Sequence, residues 1–65
     1  MTVGENVKAI RKEKKLKQKE LAEQCGISRS YLSDIENDRH STSIKTLNSL
    51  AIKLNVPITE LIRSL

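Results

Sequence analysis

From Val3 to Leu65 the aliphatic side chains recur every three or four residues, and nowhere do they alternate with period two over a strand's length. That spacing marks one-sided helices, so the chain is expected to be all-α. Thr2 and Glu5 match a capping box, in which hydroxyl and carboxylate satisfy the orphan amides at a helix start. The first helix is expected over Val3–Lys14, with Val3, Val7, Ile10 and, unusually for an inward stripe, Arg11 on one side. A second helix over Gln18–Cys25 carries Leu21, Ala22 and Cys25 inward. It stops at Gly26, the residue type best suited to left-handed backbone after a helix. Ser28 offers an N-cap for Arg29–Glu36, and Ser43 offers one for Ile44–Leu54, whose stripe is Ile44, Leu47, Leu50, Ala51 and Leu54. Pro57 suits the start of a fifth helix, with Ile58, Leu61, Ile62 and Leu65 on one face. The connections are short. Residues 1–65 read as one five-helix bundle without linker, repeat or low-complexity segment.

Size and composition close off other classes. Sixty-five residues with 37% hydrophobic content allow one small core. Below about 70–80 residues such a core rarely supplies more than about 3–5 kcal/mol. No apolar run approaches the roughly 18 residues of a membrane span. One cysteine and one histidine supply neither an internal disulfide nor the ligands of a four-coordinate zinc site. Glycine-rich phosphate loops, nucleophile elbows and metal-ligand clusters are missing from the sequence, which points away from an enzyme. His40 has no nucleophile to serve as a catalytic base, and Cys25 reads as a small core residue. The net charge of +4 is unevenly spread. Residues 1–20 hold seven bases and three acids, residues 21–40 two bases and four acids, and residues 41–65 three bases and one acid. A lysine-rich stretch of this kind suits a phosphate-facing surface or a solvated helix face.

The pair of helices over residues 18–36 is the most informative segment. Two short helices joined by a tight turn containing Gly26 have the dimensions of a helix-turn-helix. At about 100° per residue, Leu32 and Ile35 fall on one side of the third helix. Arg29, Ser30, Ser33, Asp34 and Asn37 fall opposite, and Tyr31 lies on the border. That outer face carries hydrogen-bonding groups and no aliphatic one. It suits the polar edges of bases, or water.

The run LKQKELAEQCGISRSYLSDIENDR resembles the helix-turn-helix of the phage repressor and Cro family, also called the Xre family. The likeness extends over STSIKTLNSLAIKLNVPITELI and back over VGENVKAIRKEKK. It rests on Arg11, Gln18, Leu21, Ala22, Gly26, Ser28, Ile35, Glu36 and Asn37 at the family's spacing. The stretch SRSYLSDIE is similar to controller proteins of restriction–modification systems and to short phage or plasmid repressors. Four positions depart from the family pattern. Lys15 stands where a glycine is frequent, Lys17 where helix two usually has a Ser or Thr cap, Asp38 where glycine is common, and Thr42 where a proline often precedes helix four.

The resemblance implies a lambda-repressor-like fold and a sequence-specific, double-stranded-DNA-binding transcriptional regulator, a repressor or controller acting as a homodimer in the cytoplasm of a bacterium. Arg29, Ser30, Ser33 and Asp34 then correspond to positions that face bases, with Asp34 either accepting from a cytosine amino group or orienting Arg29. Gln18, flanked by Lys17 and Lys19, corresponds to a phosphate contact at a helix N-terminus. Tyr31, Asn37, Arg39, His40 and Ser43 correspond to further backbone contacts, with packing an equal role for Tyr31. Arg11 and Glu36 are implied to pair, and Ile58, Leu61, Ile62 and Leu65 to form the dimer contact. No cofactor, metal, small-molecule ligand or membrane is implied. An antitoxin or other protein-interaction module that also binds DNA, and the N-terminal domain of a longer repressor, remain alternatives.

Overall fold

The computed structural model describes residues 2–63 of the chain, in which five helices follow one another: α1 (Val3–Glu13), α2 (Gln18–Cys25), α3 (Arg29–Glu36), α4 (Ile44–Leu54) and α5 (Thr59–Ile62). No strand occurs among the described residues. Each start has a local cause. The Thr2 hydroxyl accepts the Glu5 amide at 3.1 Å while the Glu5 carboxylate accepts the Thr2 amide at 2.9 Å. Ser28 and Ser43 cap α3 and α4 by accepting from the amides of Tyr31 and Thr46. Lys17 supplies no side-chain cap to α2, but Glu20 reaches back to its amide at 2.9 Å.

The ends of α1 to α4 share one device. Lys15, Gly26, Asp38 and Asn55 all take left-handed backbone, with φ of 60°, 68°, 58° and 58°. The following amide then bonds back across the turn: Leu16 to Arg11, Ile27 to Ala22, Arg39 to Asp34 and Val56 to Ala51, at 2.8–3.1 Å. Leu16, Ile27 and Val56 fold inward onto the core after these turns, as such motifs favour. Arg39 instead stays exposed. Lys15, standing where the family frequently has glycine, thus takes left-handed backbone at a cost of about 1–2 kcal/mol for a residue with a β-carbon.

Val7, Leu21, Ala22, Leu32, Leu47, Leu50, Ala51, Leu54 and Leu61 form the buried cluster between the helices, with Val3, Ile10, Cys25 and Ile58 packed at its edge. Two polar side chains are buried with their partners. Asn6 donates from Nδ2 to the carbonyls of Leu61 and Arg63, at 2.9 and 2.7 Å, and so ties the C-terminal helix to α1. Arg11 donates from Nε and Nη2 to the two carboxylate oxygens of Glu36, at 2.7 and 3.0 Å, and ties α1 to α3. The inward arginine of the first helix therefore has the acid that the resemblance implied.

The C-terminal helix differs from expectation in two respects. It is four residues long and starts at Thr59, because the backbone after Pro57 first closes tight three-residue bonds, Glu60 to Pro57 and Leu61 to Ile58. Leu61 is also fully buried in the core of its own chain. It cannot serve as a dimer contact, since the same helical face that carries it is used against α1. Of the other expected contact residues, Ile58 is half-buried, Ile62 is 51% exposed, and Leu65 lies outside the described residues.

Candidate nucleic-acid interface

Helices α2 and α3 pack on each other across the Gly26 turn, burying Leu21 and Ala22 from one and Leu32 and Ile35 from the other. Burial on that side turns the opposite face of α3 outward. Arg29 and Ser30 are exposed, and Ser33 and Asp34 are half-buried. Gln18 from the start of α2 and Arg39 from beyond α3 join these four around one shallow depression. The structure thus brings together all four residues expected to face bases and two expected to bind the backbone. Lys17, Lys19, Gln18 and Arg29 line a second depression beside it, with Arg11 at its base.

Three of the residues expected to contact the backbone have side chains engaged in hydrogen bonds. Gln18 donates from Nε2 to Glu36 Oε1 at 2.9 Å, so the buried ion pair also fixes the amide at the head of α2. One amide hydrogen is used there, and the second remains to donate outward. Asn37 turns back on its own helix, donating from Nδ2 to the Ser33 carbonyl at 2.8 Å and, less closely, to the Ser33 hydroxyl. Its amide group thereby closes α3, which a backbone clamp would have to interrupt. The Ser43 hydroxyl donates to Thr46 Oγ1 at 3.0 Å while accepting the Thr46 amide. The first amides of α4, more than this hydroxyl, are what remains for an anion at that point.

Asp34 does not orient Arg29. Its carboxylate lies between Arg39 Nη1 and His40 Nε2, each 3.6 Å away, one on each oxygen. The Arg39 amide also donates to the Asp34 carbonyl at 2.8 Å. The reason is the left-handed turn at Asp38, which folds the chain after α3 back over its last turn. The acid on the outer face therefore has the Arg39 guanidinium beside it, which offsets its repulsion of a polyanion. His40 also meets the half-buried ring of Tyr31 edge-on, with centroids 6.0 Å apart. Tyr31 thus packs on the loop that carries two of the expected backbone contacts.

Asp38 itself was not among the expected site residues. Its carboxylate accepts the Thr2 hydroxyl at 2.6 Å and faces the Gly4 amide at 3.3 Å, which fastens the start of α1 to the loop bearing Arg39 and His40. The only sequence signal was an acid in place of a glycine. Cys25 is half-buried, and burial pushes its thiol up from the ordinary cysteine value, against the opposing effect of Lys53. Among the described residues no cluster of His, Cys, Asp and Glu could hold a metal, and no helix is long and apolar enough to cross a membrane.

Comparison with known proteins gives one answer at the level of sequence and of fold. The chain is 50% identical over 62 residues to the immunity repressor protein of Bacillus phage phi105, a match that covers 95% of this chain and 43% of the repressor. The chain therefore spans less than half of that relative's length. The restriction–modification controller protein C.AhdI from Aeromonas hydrophila superposes with a TM-score of 0.89 at 30% identity, over 92% of this chain and 91% of that one. SinR, the master regulator for biofilm formation of Bacillus subtilis, solved in complex with DNA, superposes with a TM-score of 0.87 at 38% identity, over 92% and 97% of the two chains. The helix-turn-helix family matches residues 7–61. With those residues spanning everything from the core of α1 to Leu61, the chain belongs to the helix-turn-helix family, of the phage-repressor type that its motifs resemble.

Proposed function

We propose that this chain binds double-stranded DNA as a transcriptional regulator, a repressor or controller, and that it has no enzymatic role. In this reading α3 enters the major groove. Arg29, Ser30, Ser33 and Asp34 meet base edges, while Gln18, Lys17, Lys19, Arg39 and His40 set the register on the phosphates. The observation that carries it is the outer face of α3. Its four polar residues line one depression, Arg29 and Ser30 exposed and Ser33 and Asp34 half-buried, beside the two residues best placed for phosphate. SinR, of nearly the same fold, was solved bound to DNA. In this reading the protein acts in the cytoplasm, where its operator DNA would lie.

A homodimer completes this reading, since two copies of α3 about 34 Å apart address half-sites one helical turn apart. With Leu61 committed to the core, Ile62 and the outer part of Ile58 are the described residues left for the contact. The test is selection of bound duplexes from a random pool, followed by titration of the enriched site. Arg29→Ala is expected to cost about 1–3 kcal/mol of binding and to relax preference at one base pair, whereas Gln18→Ala weakens every site alike. A pool that yields no preferred sequence at any salt concentration overturns the proposal.

A further inference from the structure

The turn between α1 and α2 carries more positive charge than the helix-turn-helix uses. Lys14, Lys15 and Lys17 lie exposed there and Lys19 in the first turn of α2, and no ion pair among the described residues involves any of them. Lys15 holds its side chain out from left-handed backbone, a conformation in which glycine would be unstrained. The turn is also rigidly placed. Arg11 Nη1 donates to the Leu16 carbonyl at 2.8 Å, and the Leu16 amide returns to the Arg11 carbonyl at 3.1 Å. The same arginine binds Glu36, which in turn holds Gln18. The lysine ridge is thereby fixed to the phosphate-contacting end of α2, and Lys17 and Lys19 already share a depression with Arg29.

Dimensions say what such a ridge would meet. Helix α3 has eight residues, about 12 Å of helix, which spans about 3–4 base pairs at 3.4 Å each. The whole domain measures 27 × 23 × 20 Å, so its edges overlie duplex that α3 does not reach. We propose that Lys14 and Lys15, exposed in the turn that leads into Lys17 and Lys19, form a second and sequence-independent DNA contact that grips the phosphate backbone outside the bases read by α3. The inference rests on the DNA-binding reading above and adds a binding surface to it. Lys15 keeps its strained backbone because a glycine there would remove a charge from that grip.

The experiment uses one selected site in two duplexes, one ending at the site and one extended on each side by about six base pairs of random sequence, about 20 Å. The unaltered protein should bind the longer duplex more tightly, with a salt slope steeper by about 0.9 for each added phosphate contact. The double variant Lys14→Gln/Lys15→Gln should lose that gain and keep both its affinity for the short duplex and its base preference. Lys15→Gly should melt at a higher temperature yet lose about one phosphate's worth of slope. Equal slopes on the two duplexes, or a double variant that keeps the gain, overturn the second contact. Polyglutamate binding as tight as the long duplex also overturns it and assigns the ridge to an acidic protein. A gain from extension without preference for the selected site would instead leave this contact standing and remove the base-reading role of α3.

Discussion

The carboxylate of Asp38 closes over Gly4. It faces the Gly4 amide at 3.3 Å, and a β-carbon on Gly4 would lie 2.6 Å from Asp38 Oδ1 and overlap the carbonyl of Ile35. Two backbones meet there because α1 starts against the end of α3, so glycine is required for its small size. Gly4→Ala is expected to destabilise the fold by about 1–3 kcal/mol, as overpacking does. A chemical denaturation midpoint equal to that of the unaltered chain would contradict the close approach.

Arg11 and Glu36 set a second stability limit. Both are buried, and the guanidinium also holds the Leu16 carbonyl while the carboxylate also holds Gln18. Arg11→Ala leaves the Glu36 carboxyl group buried without its main partner, which costs about 3–5 kcal/mol. For a chain of this size that is most of the available stability. Equilibrium unfolding followed by circular dichroism is expected to find the variant largely unfolded at 25 °C. Replacing both residues with apolar ones of similar volume should restore folding, because neither charge is then stranded.

These two junctions differ in how far the sequence reveals them. The boundaries of α1 to α4 were legible because their causes are local: Thr2 with Glu5, Ser28, Ser43, and Gly26 each act within a few residues. The outer face of α3 was legible for the same reason, being set by the positions of Leu32 and Ile35 one turn apart. What escaped depends on how distant segments dock. Asp38 gains its partners from residues 2 and 4, and Asn6 from residues 61 and 63. Asp34 turns to Arg39 and His40 only because the chain folds back at Asp38. An aliphatic face such as Ile58, Leu61 and Ile62 has one spacing whether it meets its own core or another copy, so periodicity could not separate Leu61 from Ile62.

That separation can be tested directly. Leu61→Glu places an unpaired carboxylate in the core beside α1, and folding is expected to fail. Ile62→Glu alters a side chain that is half exposed, so helicity and thermal midpoint should stay near those of the unaltered chain. Its sedimentation should shift toward monomer, with weaker operator binding. A folded Leu61→Glu chain would return that residue to the surface. An Ile62→Glu chain that still dimerises would move the contact elsewhere, with Ile52, 72% exposed on α4, the next aliphatic to test.

Acid should loosen the first helix from its N-terminus. The Thr2 amide donates to the Glu5 carboxylate at 2.9 Å, and this bond, assisted by the Thr2 side chain, holds the carboxyl below the ordinary glutamate value. A carboxylate with a lowered value in the folded chain stabilises that chain at neutral pH. The contribution fades as pH falls through the ordinary glutamate range toward the lower folded value, because protonation then removes the favoured form. Glu5 is fully exposed, so the effect is local fraying and not global unfolding. Residue-resolved titration by NMR should find Glu5 titrating below an unstructured glutamate, and the Thr2 and Glu5 amides should lose their folded shifts over the same pH interval. Glu5→Gln keeps an acceptor without the charge and should flatten that pH dependence. A dependence of equal size in the variant would place its origin outside the Thr2–Glu5 capping box.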